Sequence, residues 1–365
     1  MRPTWANIDL EAIAVNVGVF RSLVGDSEIC AVVKADGYGH GAVPVARTCL
    51  EAGASWLAVA LVEEAAQLRK EGIVAPILLL SEPRPNEMIE VADLGGVRPT
   101  LYTASGVNSF AKVVGRNTPI HLKIDTGMHR VGVTPRMAVD LAERIVEAGL
   151  FLEGVFTHFA LADRIDDPTT AVQMEKFEVV LADLVGAGFE PTLVHQANTA
   201  ATLNYPHSHQ SMVRIGIGLY GVEPSPFLRQ RFEDLGLRSA VWLRSEVSYI
   251  QTVGPGEGVG YNHRWVTETK TRLAIVPIGY ADGIFRGWCN GGEVLIGGRR
   301  HPIRGMVTMD SLIVQVDESV DVGAEVVLLG SQGDECLGAG EVGEVLGTVG
   351  YEVLTSLGSR IPRRY

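Results

Sequence analysis

From about residue 28 to residue 220, short apolar runs alternate with helix-length segments. The runs are Glu28–Val33, Trp56–Ala60, Pro76–Leu80, Val97–Tyr102, Ile120–Ile124, Gly154–Thr157, Leu193–Gln196 and Met212–Ile217. They are continuously apolar rather than alternating, which signals burial on both faces. The segments between them carry helical spacing, as in Val62–Arg69 and Met137–Val146. Eight such units argue for a (β/α)8 barrel; an open doubly wound sheet is the alternative. After about residue 232 the pattern changes to strands at Ser239–Thr252, Arg272–Gly279, Glu293–Ile296, His301–Arg304, Leu312–Val316 and Glu325–Leu329, separated by turn signals such as Gly254-Pro255-Gly256. The chain thus reads as α/β, with a TIM-like barrel over residues 1–232 and a smaller β-rich C-terminal domain over residues 233–365.

A length of 365 residues accommodates two domains and a large core. The formal net charge of −12 argues against nucleic-acid and anionic-membrane partners, which require clustered Lys and Arg. The basic strings Arg299-Arg300-His301 and Arg360–Arg364 are too short to change that. The opening Met1–Trp5 lacks the apolar core of a signal peptide, and no apolar run approaches a membrane span, so a cytoplasmic protein is expected. Cys30, Cys49, Cys289 and Cys336 form no Cys-x-x-Cys pair and read as free thiols.

Chemistry in a barrel sits at the C-terminal ends of its strands. Here those ends carry Lys34; Lys123 and Asp125 to Arg130; His158; His195, Gln196, Asn198 and Thr199; and Arg214 with Gly216-Ile217-Gly218. Lys34 is either a snorkelling lysine or a desolvated amine able to bond a carbonyl cofactor. The glycines that follow it, Gly37, Gly39 and Gly41, would let the backbone approach a ligand. Arg214, inside a buried strand, is either half of a structural ion pair or a donor to a bound anion or ring nitrogen. Thr199 and Gly216–Gly218 follow the last two strands, where barrels commonly bind phosphate. His207 and His209 have the spacing of metal ligands, but without a partner set they read as a solvated loop, and no metal is expected.

Taken together, these strings resemble the motifs of the alanine racemases, enzymes that use pyridoxal 5'-phosphate. Ala31–Gly41 resembles the cofactor-lysine motif, and Leu122–Gly132, Thr157–Ala160, Ala197–Ala201, Arg214–Ile217, Val259–Tyr261, Pro277–Gly283, Met309-Asp310, Tyr351–Val353 and Arg360–Tyr365 follow in order. The resemblance implies that the first strand, near residues 3–10, joins the β-rich domain. It also implies a head-to-tail homodimer in which each site pairs one subunit's barrel with the other's β-rich domain.

By the same resemblance, Lys34 holds the cofactor covalently and then acts as the base on the D-alanine face, while the partner's Tyr261 acts on the L-alanine face. A phenol titrates near 10 in water and needs help near neutrality, which His158 would supply. Arg214 would donate to the cofactor's ring nitrogen. Tyr38, Asn198, Thr199, Gly216, Ile217 and Tyr351 would complete the cofactor site with Arg130. Arg130, the backbone N–H of Met309 and Tyr280 would meet the substrate. Lys123 occupies a position that is N-carboxylated in many relatives. The chain departs from the common pattern at Met306, where relatives often carry Arg, at Ser311, where they often carry Gln, and at Thr199, where they often carry Ser. The implied activity is interconversion of L- and D-alanine; a broad-specificity or serine racemase is the alternative.

Overall fold

The computed structural model describes residues 2–365. The eight apolar runs form parallel strands. Glu28–Val32 pairs with Trp56–Val59, which pairs with Ile77–Leu79, and Met212–Ile215 pairs back onto Glu28–Val32. On the other side, Pro119–Lys123 pairs with Phe151–Phe156 and the latter with Leu193–His195. The seam between Leu193–His195 and Met212–Ile215 is bridged by Ser211 N–H to Val194 O at 3.1 Å and Arg214 N–H to Ala197 O at 3.0 Å. The sheet therefore closes on itself, which disposes of the open-sheet alternative.

The fourth run, expected as one strand, is broken at Pro99 into Val97–Arg98 and Thr100–Leu101. Proline has no N–H to give a ladder. Val97–Arg98 pairs with Ile77–Leu79, and Thr100–Leu101 with Pro119–Lys123. Helices such as Val62–Lys70, Ala138–Glu147 and Thr169–Gly186 cover the barrel's outside.

The C-terminal region is built on a sheet in the order Arg299–Pro302, Glu293–Ile296, Glu325–Gln332, Val241–Glu246, Thr4–Ile8, Arg363–Arg364. The N-terminal strand Thr4–Ile8 thus lies between the strand after the barrel and the last strand of the chain. The run expected over Ser239–Thr252 splits near Val247 into Val241–Glu246 and Tyr249–Val253, and the second half joins a separate sheet with Thr271–Val276 and Leu312–Val316. Helices Ala339–Leu346 and Gly350–Thr355, which strand periodicity did not reveal, bring the C-terminal region against the barrel mouth. Buried Asp282 fastens this end. It accepts two bonds from Arg2 at 2.8 and 2.7 Å and one from Gly279 N–H at 3.0 Å. Among the described residues no helix is long and apolar enough to cross a membrane.

Candidate active site

Lys34 begins a turn of unusual hand. Ala35, Asp36, Gly37 and Tyr38 have φ of 52°, 52°, 60° and 53°. For L-residues this left-handed conformation costs roughly 1–2 kcal/mol each, glycine excepted. Its internal bonds run from Gly37 N–H to Val33 O and from Gly39 N–H to Ala35 O, both 2.9 Å. Side chains lock it further: Glu64 Oε1 accepts from Ala35 N–H at 2.6 Å, and Asp36 Oδ1 accepts from Ala42 N–H at 2.8 Å.

The glycines here serve a different purpose from the expected ligand approach. A Cβ on Gly39 would sit 2.5 Å from Leu354 O, and one on Gly41 would sit 2.0 Å from Tyr365 Oη. They let the C-terminal helix and tail close onto the turn, and Arg363 Nε donates to Gly39 O at 3.1 Å.

The turn faces a cavity of about 660 Å³ at the C-terminal ends of the strands. Lys34, Tyr38, Lys123, Arg130, His158, Asn198, Thr199, Arg214, Gly216, Ile217 and Tyr351 all line it. Four basic side chains, Lys34, Lys123, Arg130 and Arg214, thus meet one carboxylate, Asp163, in the lining. Burial, with help from Arg130, holds the Lys34 amine below the ordinary lysine range, against a weaker opposing pull from Glu64. An amine so shifted is available as a nucleophile.

Lys123 is buried, its ammonium 5.3 Å above the Phe156 ring. Burial and the charges of Arg214 and Arg130 push it down to about 7. An unfolded lysine titrates near 10.4, so between these values the unfolded chain binds the extra proton. Stability should therefore rise with pH through that window, and the penalty of the buried ammonium should be fullest below it. Lys123→Met removes the penalty, so the Tm advantage of the variant in cofactor-free protein, in buffer freed of carbon dioxide, should be large at pH 6 and shrink by pH 9. Thermal melts across that range check this; a pH-independent difference would refute the assignment.

A cluster of neutral polar groups also lines the cavity. Asn198 caps helix Thr199–Asn204, its Oδ1 accepting from Ala201 N–H at 3.0 Å. Thr199 Oγ1 accepts from the N–H groups of Gly216 and Gly218 at 3.1 and 3.4 Å. A Cβ on Gly216 would lie 2.8 Å from Tyr38 Oη, so that hydroxyl joins the same cluster. The Tyr38 ring is fixed between Tyr220 and Tyr351, at centroid distances of 4.9 and 6.1 Å.

Arg214 is buried, and among the described residues its side-chain partners are histidine nitrogens and backbone oxygens, with no carboxylate to make it half of an ion pair. Its terminal nitrogens donate to Thr157 O at 2.8 Å and Gln196 O at 3.2 Å, and they contact His195 Nδ1 at 2.8 Å and His158 Nδ1 at 3.3 Å. A guanidinium only donates, so His158 Nδ1 accepts and its proton sits on Nε2. Burial, reinforced by Arg214 and Lys123, keeps His158 well below the ordinary histidine range and hence neutral.

Three side chains here escaped the sequence reading. Phe156 stacks under both Lys123 and Arg214, the latter at 5.2 Å. Gln173 ties two strand-end loops together through Ala160 N–H, Thr126 Oγ1 and His158 O. Glu64, which braces Ala35, lies on a helix about 30 residues away and had no local signal. Phe156, directly before Thr157-His158, was the one of the three that position alone pointed to.

Tyr261, Tyr280 and Met309 lie apart from this cavity, on the C-terminal region, with 69%, 41% and 52% of their surface exposed. Tyr280 and Met309 are held near each other by Tyr280 N–H to Thr308 O at 2.9 Å and Ala281 N–H to Met309 O at 3.0 Å. The reading of His207 and His209 as a solvated loop holds only for His207. His209 is buried and its Nε2 meets Thr202 O at 2.9 Å, because the short helix before it folds the loop back. No group of three or more His, Cys, Asp or Glu in ligating reach occurs among the described residues.

Sequence models described as "Alanine racemase, N-terminal domain" and "Alanine racemase, C-terminal domain" match residues 8–224 and 240–365. The alanine racemase of Symbiobacterium thermophilum is 40% identical over 371 residues, covering 100% of this chain and 97% of its own. That of Carboxydothermus hydrogenoformans is 40% identical over 370 residues, covering 100% of both chains. Among solved structures, the alanine racemase of Bacillus anthracis with bound L-Ala-P superposes with a TM-score of 0.92 at 39% identity, covering 100% of this chain and 95% of its own. The enzyme from D-cycloserine-producing Streptomyces lavendulae gives 0.94 at 37% identity, covering 100% and 97%. With a closed barrel, a lysine-bearing left-handed turn and relatives that match it end to end, the chain belongs to the alanine racemase family of pyridoxal phosphate-dependent enzymes.

Proposed function

We propose that this enzyme racemises alanine with two bases drawn from two subunits, Lys34 in the barrel and the partner's Tyr261. The observation that carries the reading is the cavity's basic lining: two arginines and two lysines against one carboxylate, in a chain of net charge −12. Such a site fits an anionic cofactor and a substrate carboxylate.

The residues fit pyridoxal phosphate in detail. The Lys34 amine would bond its aldehyde carbon with loss of water and be freed when the substrate amine takes its place, and the Thr199 hydroxyl, the amides near Gly216 and Ile217, Tyr38 and Tyr351 would hold its phosphate. Asn198 would set the start of the helix behind that cradle. When bound, the cofactor delocalises the electron pair left on Cα. The protein's task is then to move one proton on each face. Lys34 Nζ takes or returns it on the D-alanine face, and the partner's Tyr261 Oη does so on the L-alanine face. His158, with its proton on Nε2, would donate to the Tyr261 oxygen and favour its ionised form. Arg130 and the Met309 N–H would hold the substrate carboxylate, and Tyr280 would narrow access to small side chains.

The exposure of Tyr261, Tyr280 and Met309 supports a head-to-tail homodimer, since these side chains have nothing of their own barrel to act on. The Lys123 amine, unprotonated in part at neutral pH, would attack carbon dioxide, forming an N–C bond and releasing a proton. The resulting carbamate would place a negative charge among Arg130, Arg214 and Lys34. An added mass of one carbon dioxide under mild ionisation, absent in Lys123→Met, tests that. A cytoplasmic enzyme supplying D-alanine for cell-wall synthesis is the setting this activity suits.

Arg214 would donate to the ring nitrogen and leave it unprotonated, because a guanidinium accepts no proton. Arg214→Glu should accordingly change the visible spectrum of the bound cofactor and raise side transamination; an unchanged product ratio would contradict the role. The activity itself is tested with purified holoenzyme on L-alanine and L-serine, following the D-isomer. The reading expects kcat/KM for alanine to exceed that for serine by at least about tenfold, the scale of discrimination a small pocket gives; comparable values would favour a broad-specificity racemase.

A further inference from the structure

Below the cavity, toward the N-terminal ends of the strands, runs a row of buried polar groups that the proton transfers do not use. His195, whose Nδ1 contacts Arg214 at 2.8 Å, places its Nε2 2.9 Å from His121 Nδ1. His121 Nε2 lies 3.3 Å from Glu153 Oε2, and Arg98 Nε donates to that same oxygen at 2.8 Å. Both imidazoles have no solvent exposure.

These contacts admit one proton arrangement. Arg214 can only donate, so His195 Nδ1 accepts and its single proton is on Nε2. That N–H points at His121 Nδ1, which must therefore be bare. A histidinium at either position would place a proton on an atom that has to accept. His121 then carries its proton on Nε2 and donates to the Glu153 carboxylate. Burial works in the same direction, lowering His121 and holding His195 well below the ordinary range, the latter with help from Arg214.

The surroundings are shaped to this row. A Cβ on Gly154 would lie 2.5 Å from His121 Nδ1, so only glycine leaves the two imidazoles their contact. Phe156 stacks on His195 at 4.6 Å with 9° between the planes, and Trp56 lies 5.6 Å from His121. Glycine inside a strand weakens it unless close approach demands it.

We propose that Arg214, His195, His121 and Glu153 form a directed donor row that orients the Arg214 guanidinium toward the cofactor ring nitrogen, making His195 and His121 positioning residues. Glu153, itself paired with Arg98, ends the row as its final acceptor two rings away from Arg214. Hydrogen-bonded rows of this kind polarise each member. The proposal rests on the role given to Arg214 above.

His121→Asn and His121→Phe separate the proposal from packing. Asn Oδ1 can take the place of Nδ1 as acceptor for His195, whereas Phe fills the imidazole's volume better but accepts nothing. In holoenzyme, His121→Phe should lower kcat about tenfold or more with KM within about threefold, the pattern of an interaction made chiefly in the transition state, and should shift the bound cofactor's absorbance. His121→Asn should retain most of both. Phe equal to or better than Asn would overturn the proposal.

Since a core variant can fail to fold, ¹⁵N-histidine NMR of the wild-type protein gives an independent reading. His121 and His195 should both appear neutral and Nε2-protonated; an Nδ1–H tautomer or an imidazolium would overturn the row. If His121→Phe leaves the cofactor spectrum unchanged while Arg214→Lys alters it, the row fails and the Arg214 role stands. If Arg214→Lys also leaves it unchanged, the Arg214 role is what fails.

Discussion

Lys34→Ala should leave a folded protein that loses racemase activity by about four orders of magnitude, because it deletes both the covalent anchor of the cofactor and one of two proton-transfer groups. The visible band of the bound cofactor should disappear, and borohydride should no longer fix the cofactor to the chain. Small primary amines added to the medium should restore part of the band by occupying the vacated amine position. The left-handed turn should survive the change, since it is held by Glu64, Asp36 and the Tyr38 ring rather than by the Lys34 side chain. Full activity in this variant would remove the basis of the whole mechanism.

Tyr261→Phe should lower kcat by about 10²–10⁴-fold, the range of general acid–base contributions. Phenylalanine keeps the ring and removes the ionisable oxygen, so the consequence is specific to one face. In D₂O the variant should still exchange the Cα hydrogen of D-alanine, because Lys34 can take and return a proton on its own face. L-alanine should not exchange. NMR of the Cα proton in each enantiomer reads this directly. Equal exchange from both would mean that a single base serves both faces, contrary to the two-base account.

Much of this was legible in the residues, and the reasons it was not all legible are specific. The eight buried runs marked the barrel because parallel strands covered on both faces are continuously apolar, and the polar residues at their ends marked the cavity mouth. The hand of the turn after Lys34 was hidden, because the positive φ of Ala35, Asp36 and Tyr38 is accompanied by a bond from Ala35 N–H to Glu64 and one from Ala42 N–H to Asp36, with Glu64 and Ala42 both outside the Ala35–Gly41 string. Pro99 was visible in the sequence, yet its interruption of the fourth strand depends on which neighbour each half pairs with. Arg214 was legible as an anomaly, but its lack of a carboxylate partner is a fact of three-dimensional packing. His209 looked like loop and is buried because its ring finds Thr202 O.

The central claim, that each site joins Lys34 of one chain to the partner's Tyr261, is tested most directly by mixing two inactive variants. Lys34→Ala and Tyr261→Phe chains, purified separately, are dissociated together and reassociated at equal amounts. In a mixed dimer one site receives both lesions and the other receives neither. Random pairing should then restore activity to about one quarter of the wild-type value, as head-to-tail sharing in a twofold dimer requires. Activity no greater than the sum of the two separate variants would show that each chain builds its site alone, and would contradict the account.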